Sequence, residues 1–290
     1  MVGFNMTRRI DCHTHIGKYE DIEWSSEFGR WGDVTPEALT CFLDDLSVDR
    51  AILLPTYSWN IKNRFPTEYV IESCRKYPDR LIPFCAVEVR EIFFEEKVAR
   101  YKDMGCLGVG EHTSKIPVDH RLNLRLYQTC GRLELPILIH VASSPSSEYG
   151  ALDTSSLEGL ERALRQYSNV DFIMHGPGWW RGMSADIEDP TEDYPTGEIE
   201  KPGKVVFLLE NYENVYGDLS AHSGHNALTR DMKFARSFLE RLNRKLLYGT
   251  DLTCFFEPEY SQIRLLDEAN LTSEAYENIY HRNVEKLLRP

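Results

Sequence analysis

Five residues of this chain have side chains suited to binding a divalent metal or moving a proton, and each stands at or just past the end of a short apolar run. His13 and His15 close the stretch Ile10-Asp11-Cys12-His13-Thr14-His15. His140 follows Ile137-Leu138-Ile139, His175 follows Phe172-Ile173-Met174, and Asp251 follows Leu246-Leu247-Tyr248-Gly249-Thr250. On a β-strand side chains alternate, so His13 and His15 face the same way and two imidazoles converge. Neutral imidazole is the commonest protein ligand for zinc and related ions, and a carboxylate suits the same sites. An isolated His-x-His is more often a pair of polar residues leaving a strand. Five ligand-type residues at the same end of different strands call for a common cause.

The elements that would position them alternate along the chain. Apolar runs at Ile10, at Ala51–Leu54, Leu81–Val87, Leu107–Glu111, Ile137–His140, Val170–His175, Val215–Leu219 and Lys245–Tyr248 read as strands. Between them, helical spacing predicts helices starting at Thr35-Pro36-Glu37 and over Thr67–Lys76, Phe93–Met104, Leu122–Leu133, Leu157–Tyr167, Lys204–Asn211 and Met232–Leu242. Thr35 is a cap, Pro36 fits the first helical position, and Glu37 opposes the positive end of the dipole. Buried-looking strands alternating with amphipathic helices imply a parallel sheet covered on both faces. Eight such units in 290 residues predict an α/β fold, a single (β/α)8 TIM barrel spanning residues 1–290, rather than a doubly wound sheet. A doubly wound sheet would want a Gly-rich phosphate turn after its first strand, where this chain has His-x-His. In a closed barrel the strand ends encircle one axis, so residues distant in sequence meet.

Taken in order, the His-x-His, Pro136-Ile137-Leu138-Ile139-His140, Asp171-Phe172-Ile173-Met174-His175-Gly176, Asn214-Val215-Tyr216-Gly217-Asp218-Leu219-Ser220 and Leu247-Tyr248-Gly249-Thr250-Asp251 resemble the successive motifs of the amidohydrolase superfamily. The nearest likeness is to its amidohydrolase-related branch of metal-dependent hydrolases and decarboxylases, which includes aminocarboxymuconate-semialdehyde decarboxylase. The segment Ile279 to Leu288 is similar to that branch's closing helix. The resemblance implies a divalent metal, most often zinc, one or two ions, held by His13, His15, His140 and Asp251. It gives His175 either a second-metal role or an acid/base role.

The fourth strand departs from the branch pattern. Where many members carry Gly-Val-Lys-Leu-His, this chain reads Gly108-Val109-Gly110-Glu111-His112, so a carboxylated lysine is excluded at Gly110. Glu111 brings a carboxylate to the strand end, either as a metal ligand or bridge or as a neighbour of the ligands, while His112 on the opposite face is expected behind the sheet. Three stretches read as long loops at the same end of the barrel. Gly17 to Asp33 carries Tyr19, Trp24, Phe28 and Trp31; Gly176 to Lys201 carries Trp179, Trp180, Arg181 and a run of acids; and Ser220 to Asp231 carries His222 and His225. Loops of such length often serve binding. Trp179 is a candidate apolar wall, Arg181 a candidate anion clamp and His222 a candidate substrate contact, each competing with ordinary packing.

Net charge −13 and the lack of a basic run argue against nucleic acid or an anionic membrane as partner. Seven dispersed cysteines without Cys-x-x-Cys read as reduced thiols and a cytoplasmic setting, with no secretion or anchoring signal. The expected partner is a small molecule; a homodimer is left open. The leading expectation is a metal-dependent hydrolase of a small carbonyl compound, with Asp251 and His175 as its catalytic groups. The alternatives are a non-oxidative decarboxylase using the same residues and a barrel that binds metal without catalysis.

Overall fold

In the computed structural model, described for residues 8–17, 34–55, 66–147, 149–187, 189, 192–252 and 262–288, the parallel strands close on themselves. The aromatic residues Tyr19, Trp24, Phe28 and Trp31, and Cys254, fall outside the described residues. The strands are β1 (Ile10–His15), β2 (Arg50–Leu54), β3 (Leu81–Pro83), β4 (Val109–His112), β5 (Ile137–Ala142), β6 (Ala151–Leu152), β7 (Phe172–His175), β8 (Val215–Asp218) and β9 (Leu246–Leu247). Two parallel series, β1-β2-β3 and β4-β5-β7-β8-β9, make up the wall, with β6 an unexpected short strand beside the end of β5. Backbone bonds seal both seams. Cys85 N donates to Gly108 O at 3.0 Å and Gly110 N to Cys85 O at 2.8 Å; on the other side Cys12 N donates to Tyr248 O at 2.9 Å and Asp251 N to His13 O at 2.8 Å. The (β/α)8 barrel expected from the alternation is what forms.

The helices are α1 (Pro36–Asp45), α2 (Thr67–Lys76), α3 (Phe94–Asp103), α4 (Arg121–Leu133), α5 (Glu158–Gln166), α6 (Pro177–Trp180), α7 (Lys204–Asn211), α8 (Ala221–Thr229), α9 (Met232–Leu242), α10 (Gln262–Ala269), α11 (Ser273–Glu277) and α12 (Asn283–Leu287). Thr35 caps α1 as expected, its Oγ1 accepting from Ala38 N at 3.1 Å. Two apolar cores result. The larger lies between strands and helices. The smaller fills the barrel with Ile10, Ile52, Ile82, Phe84, Leu138, Ile173, Tyr216 and Leu247, joined by Val284 and Leu287 of α12, so the closing helix stoppers the interior. Among the described residues no helix is long and apolar enough to cross a membrane.

Two expected loops differ. Gly176 to Lys201 begins with α6 and a tight turn at Arg181–Met183, and Ser220 to Asp231 is mostly helix α8. Tertiary packing overrides weak local propensity at α8: Gly224 belongs there because a Cβ would lie 2.3 Å from Leu219 O.

Candidate metal centre

Strand irregularities aim the side chains. Between Asp11 and Thr14, β1 advances three residues while β2 advances only from Ala51 to Leu53, the signature of an inserted residue. Cys12 therefore packs in the barrel interior while His13 and His15 both face the strand-end opening, where simple alternation would put Cys12 and His13 on opposite faces. A similar shift between Val109 and His112 turns Glu111 inward. His112 packs behind the sheet, its Nε2 2.8 Å from Asn123 Oδ1. Gly110 leaves no room for a side chain, since a Cβ there would sit 2.8 Å from Leu138 Cβ. On the neighbouring strands β5 and β7, His140 and His175 are register partners.

The barrel thus brings together His13, His15, Glu111, His140, His175 and Asp251, in overlapping groups whose ligand atoms lie within 4.8 Å of one another. The tightest set is His13 Nε2, His15 Nε2 and Asp251 Oδ1. The two nitrogens are 3.0 Å apart and each is 3.4 Å from the oxygen. Donors about 2.1 Å from a metal at tetrahedral or octahedral angles would be about 3.0–3.4 Å apart, so this triangle suits a divalent cation. Asp251 turns its other oxygen to His175, Oδ2 lying 3.6 Å from Nε2. Glu111 also spans two partners: Oε1 accepts from His140 Nδ1 at 2.8 Å, and Oε2 lies 3.8 Å from His15 Nε2.

Outer groups hold the imidazoles in the orientation a cation needs. His13 Nδ1 donates to Asp218 Oδ2 at 2.6 Å and His15 Nδ1 to Leu54 O at 3.2 Å, which leaves both Nε2 lone pairs facing the opening. His175 Nδ1 lies 3.1 Å from both Asp218 Oδ2 and Ser220 Oγ. Asp218 Oδ1 accepts from Ser220 N at 2.9 Å and Cys12 Sγ at 3.2 Å. Below it, Asp11 binds the last strand to the first, accepting from Thr250 Oγ1 at 2.6 Å and from Thr250 N and His13 N at 3.0 Å.

Burial and charge set the protonation states in opposition. Burial pushes the Asp218 carboxyl up, but the His13 and His175 charges and hydrogen bonds outweigh it and hold the group well below its ordinary range. Asp251 is held down likewise, burial being overcome by His13, His15 and His175. Burial also opposes ionisation of Glu111, yet the bond and charge of His140 bring it to about 2. For His175 burial favours the neutral ring, but Asp218 and Asp251 raise its pKa well above the ordinary value. Burial prevails at His140, whose pKa is lowered, and at Asp11, raised to about 7 despite its bonds from Thr250 and His13.

Three residues expected to contact a substrate are found in other contacts. Trp179 is fully buried in the outer core, edge-on to Trp180 at 6.2 Å between ring centroids, so it lines no open surface. Arg181 lies buried in the turn after α6, where the charges of Asp193 and Asp189 act on it. His222 rides on α8 with its ring 4.4 Å from that of Tyr194. Sequence reasoning gave no role to Asp218, although it ends the seventh apolar run as the ligand-type residues end theirs. Tyr149, whose ring centroid is 4.6 Å from that of His140, carried no sequence signal.

A family model described as Amidohydrolase matches residues 10–289. No curated protein matches the chain. Among solved structures, a probable 2-pyrone-4,6-dicarboxylic acid hydrolase from Acinetobacter baumannii with citric acid bound superposes with TM-score 0.64 at 16% identity, covering 97% of this chain and 99% of that one. A dihydroxybenzoic acid decarboxylase from Polaromonas sp. JS666 with manganese and 2-nitroresorcinol gives 0.62 at 14%, covering 98% and 97%. A 5-carboxyvanillate decarboxylase from Novosphingobium aromaticivorans with manganese gives 0.63 at 14%, covering 98% and 97%. At these identities the likeness is one of fold.

Proposed function

For a chain that belongs to the amidohydrolase family, we propose a metal-dependent hydrolase of a small carbonyl compound such as an amide or ester. The observation that carries this reading is the divided carboxylate of Asp251. One oxygen faces the His13 and His15 nitrogens at 3.4 Å and the other faces His175 Nε2 at 3.6 Å. Hydrolysis needs such a group, because a proton leaving the attacking water must end on the leaving group.

His13, His15 and Asp251 would hold one divalent ion, with Glu111 and its partner His140 alongside; bound manganese in two of the similar folds supports a divalent ion. When bound, such an ion supplies a Lewis acid that polarises a carbonyl and makes a water more acidic. Asp251 takes the water proton on the oxygen facing His175. His175, kept protonated between Asp218 and Asp251, gives a proton to the departing nitrogen or oxygen as the bond to the carbonyl carbon breaks, and recovers one from Asp251. Hydroxide is thereby added to the carbonyl carbon and the leaving group departs neutral. His140 keeps Glu111 in place through their 2.8 Å bond.

Asp251→Asn tests the assignment. Asparagine keeps the shape and one oxygen donor but cannot accept the proton, so turnover is expected to fall roughly 10²- to 10⁴-fold with the fold intact. Near-normal turnover with metal bound would remove Asp251 as the base. Elemental analysis is expected to give one ion per chain. Two would place the second among Glu111, His140 and His175 and end the proton-donor role of His175. Decarboxylases among the similar structures favour a second reading, loss of carbon dioxide from a small carboxylic acid. A substrate panel scored for carbon dioxide and for acid release separates the two.

A further inference from the structure

Three adjacent strands enter the barrel behind an arginine. Arg8 stands two residues ahead of Ile10, Arg50 two ahead of Ile52 and Arg80 two ahead of Ile82, and the three isoleucines belong to the apolar filling of the barrel. Ala51 is the register partner of Leu81, so Arg50 and Arg80 stand side by side where β2 and β3 begin. All three arginines line a cavity of about 550 Å³ at the amino-terminal end of the barrel, together with Asp44, Asp49 and Asp79. That volume lies in the range of small-molecule sites. The cavity is separate from the donor ring. Arg50 and Leu54, whose carbonyl holds His15, are the first and last residues of β2, about 13 Å apart at about 3.3 Å per residue.

Polar residues at this end of a barrel ordinarily serve stability, and two of the arginines do. Arg80 Nη1 donates to Asp44 Oδ1 at 2.6 Å, and its Nε and Nη2 donate to the backbone carbonyls of Asp49 and Val48 at 2.8 and 3.0 Å. Arg8 Nη1 donates to Glu285 Oε1 of α12 at 2.6 Å. Asp49 is occupied as well, its Oδ2 accepting from Arg9 N at 2.7 Å. Arg50 is the exception. It is half-buried, its Nε is shut off from solvent without a hydrogen-bond partner, and among the described residues no carboxylate or carbonyl meets its terminal nitrogens. A partly desolvated guanidinium beside a second positive charge is costly unless an anion meets it. Asp79 is the complementary case on the exposed part of the same wall: among the described residues no cation pairs with it, Arg50 included.

With the paired groups set aside, the cavity wall offers one guanidinium and one carboxylate that are too far apart to pair with each other. A simple anion would satisfy Arg50 but would face three aspartates, and a simple cation would face three arginines. We propose that this cavity is a second binding site, separate from the metal centre, for a small zwitterion, an amino acid or related ammonium carboxylate, whose carboxylate is held by Arg50 and whose ammonium is held by Asp79. Guanidinium against carboxylate is the stronger and better oriented contact. The exposed Asp79 contributes less and selects for the second charge. Catalysis in this fold belongs to the carboxyl-terminal end of the strands, so the site binds without reacting, and it stands whether the metal centre hydrolyses or decarboxylates.

Calorimetric titration and thermal shift on the full chain, at low ionic strength where exposed charges are least screened, test the site. The probes are glycine, β-alanine and 4-aminobutyrate, which space the two charges differently, with butyrate and butylamine as singly charged controls. The same titrations on His13→Ala, altered at the other end of the barrel, exclude chelation of bound metal as the source of the signal. At least one of the three amino acids is expected to bind both proteins with similar affinity and to raise their melting temperatures, the controls binding more weakly. Arg50→Gln should weaken that binding roughly ten- to hundredfold, the scale of losing hydrogen bonds to a charged group. Asp79→Asn, at an exposed position, should lower affinity up to about fivefold and erase the preference over butyrate. Should Arg50→Gln not fold, Arg50→Lys, which keeps the charge without the planar fork, and Asp79→Asn carry the comparison. No binding of any of the three amino acids, equal binding of butyrate, loss of the response in His13→Ala, or an unaltered response in either the Arg50 or the Asp79 variant overturns the site.

Discussion

Asp218→Asn separates a carboxylate that tunes the site from one that merely fills the core. Asp218 is completely buried, and each of its oxygens already serves two donors: His13 Nδ1 at 2.6 Å and His175 Nδ1 at 3.1 Å on Oδ2, Ser220 N at 2.9 Å and Cys12 Sγ at 3.2 Å on Oδ1. Asparagine has the same outline but one acceptor and one donor. If its amide nitrogen faces the histidines, His13 must carry its proton on Nε2 and loses the lone pair aimed at the opening. If the amide nitrogen faces the other way, it opposes the Ser220 N–H, and a buried donor is left unpaired at about 1–3 kcal/mol. Either orientation should weaken cation binding roughly ten- to hundredfold, as replacement of such outer partners does, which is about 1.4–2.7 kcal/mol. The folded-state pKa of Asp218 is depressed, so its carboxylate is already ionised above the ordinary range near 4. The defect should accordingly stay constant from about pH 5 upward. Competition titration against a chelator, with circular dichroism to confirm folding, measures it. Unchanged metal affinity and turnover would show that Asp218 does not orient the ligands, and a defect that vanishes with rising pH would show that its charge is not the operative property.

Chelation of the bound ion should lower the melting temperature by roughly 5–10 °C, since ligand at a hundredfold excess over Kd contributes about 2.7 kcal/mol at about 2–4 °C per kcal/mol; an unaltered melting curve after verified metal removal would contradict the donor-set assignment. Gly110→Ala adds a Cβ 2.8 Å from Leu138 Cβ on a backbone with φ +149°, and a loss of about 1–3 kcal/mol is expected in denaturant titration; a neutral result would show that β4 can shift without cost. Glu161 accepts from Lys204 Nζ at 2.6 Å and Tyr212 OH at 2.7 Å, which lower its pKa to about 2. A depressed carboxyl stabilises above its unfolded pKa of about 4.3 and loses that contribution as pH falls towards the folded value. Glu161→Gln should therefore cost up to about 1 kcal/mol at pH 7, with the difference from the parent chain narrowing below pH 4.5; a constant difference would rule out the ionic origin.

The barrel could be read from the sequence because its strands are nearly continuous apolar runs and its helices carry strong one-sided spacing. The bounds of α2, α7 and α9 coincide with those expected from that spacing. Helix α8 could not be read this way. Its buried face is Ser223, Gly224, Ala227 and Leu228, too small and too weakly apolar to give a periodic signal, and its glycine is chosen by an approach to Leu219 that only the folded chain contains. The convergence of His13, His15, His140, His175 and Asp251 was visible for the opposite reason: strand-end position is a one-dimensional property, and closing the barrel converts it directly into proximity.

Depth along the strand is not one-dimensional in the same sense, and this separates Asp251 from Asp218. Both carboxylates end apolar strand segments and both face histidines, yet Asp218 is completely buried behind the imidazoles while the Asp251 side chain keeps 21% of its exposure at the opening. The extra residue in β1 contributes to the difference. By admitting Cys12 to the interior as well as His13 and His15 to the opening, it places a thiol under Asp218 and an imidazole over it. Strand alternation alone cannot supply that layer. A carboxylate one layer below the imidazoles sets which nitrogen each of them offers, and a carboxylate level with them stands as a further oxygen donor beside those nitrogens. Which of the two a strand-end aspartate becomes is decided by bulge positions in strands far away in sequence, so the convergent donor side chains can be read before folding and their supports only after.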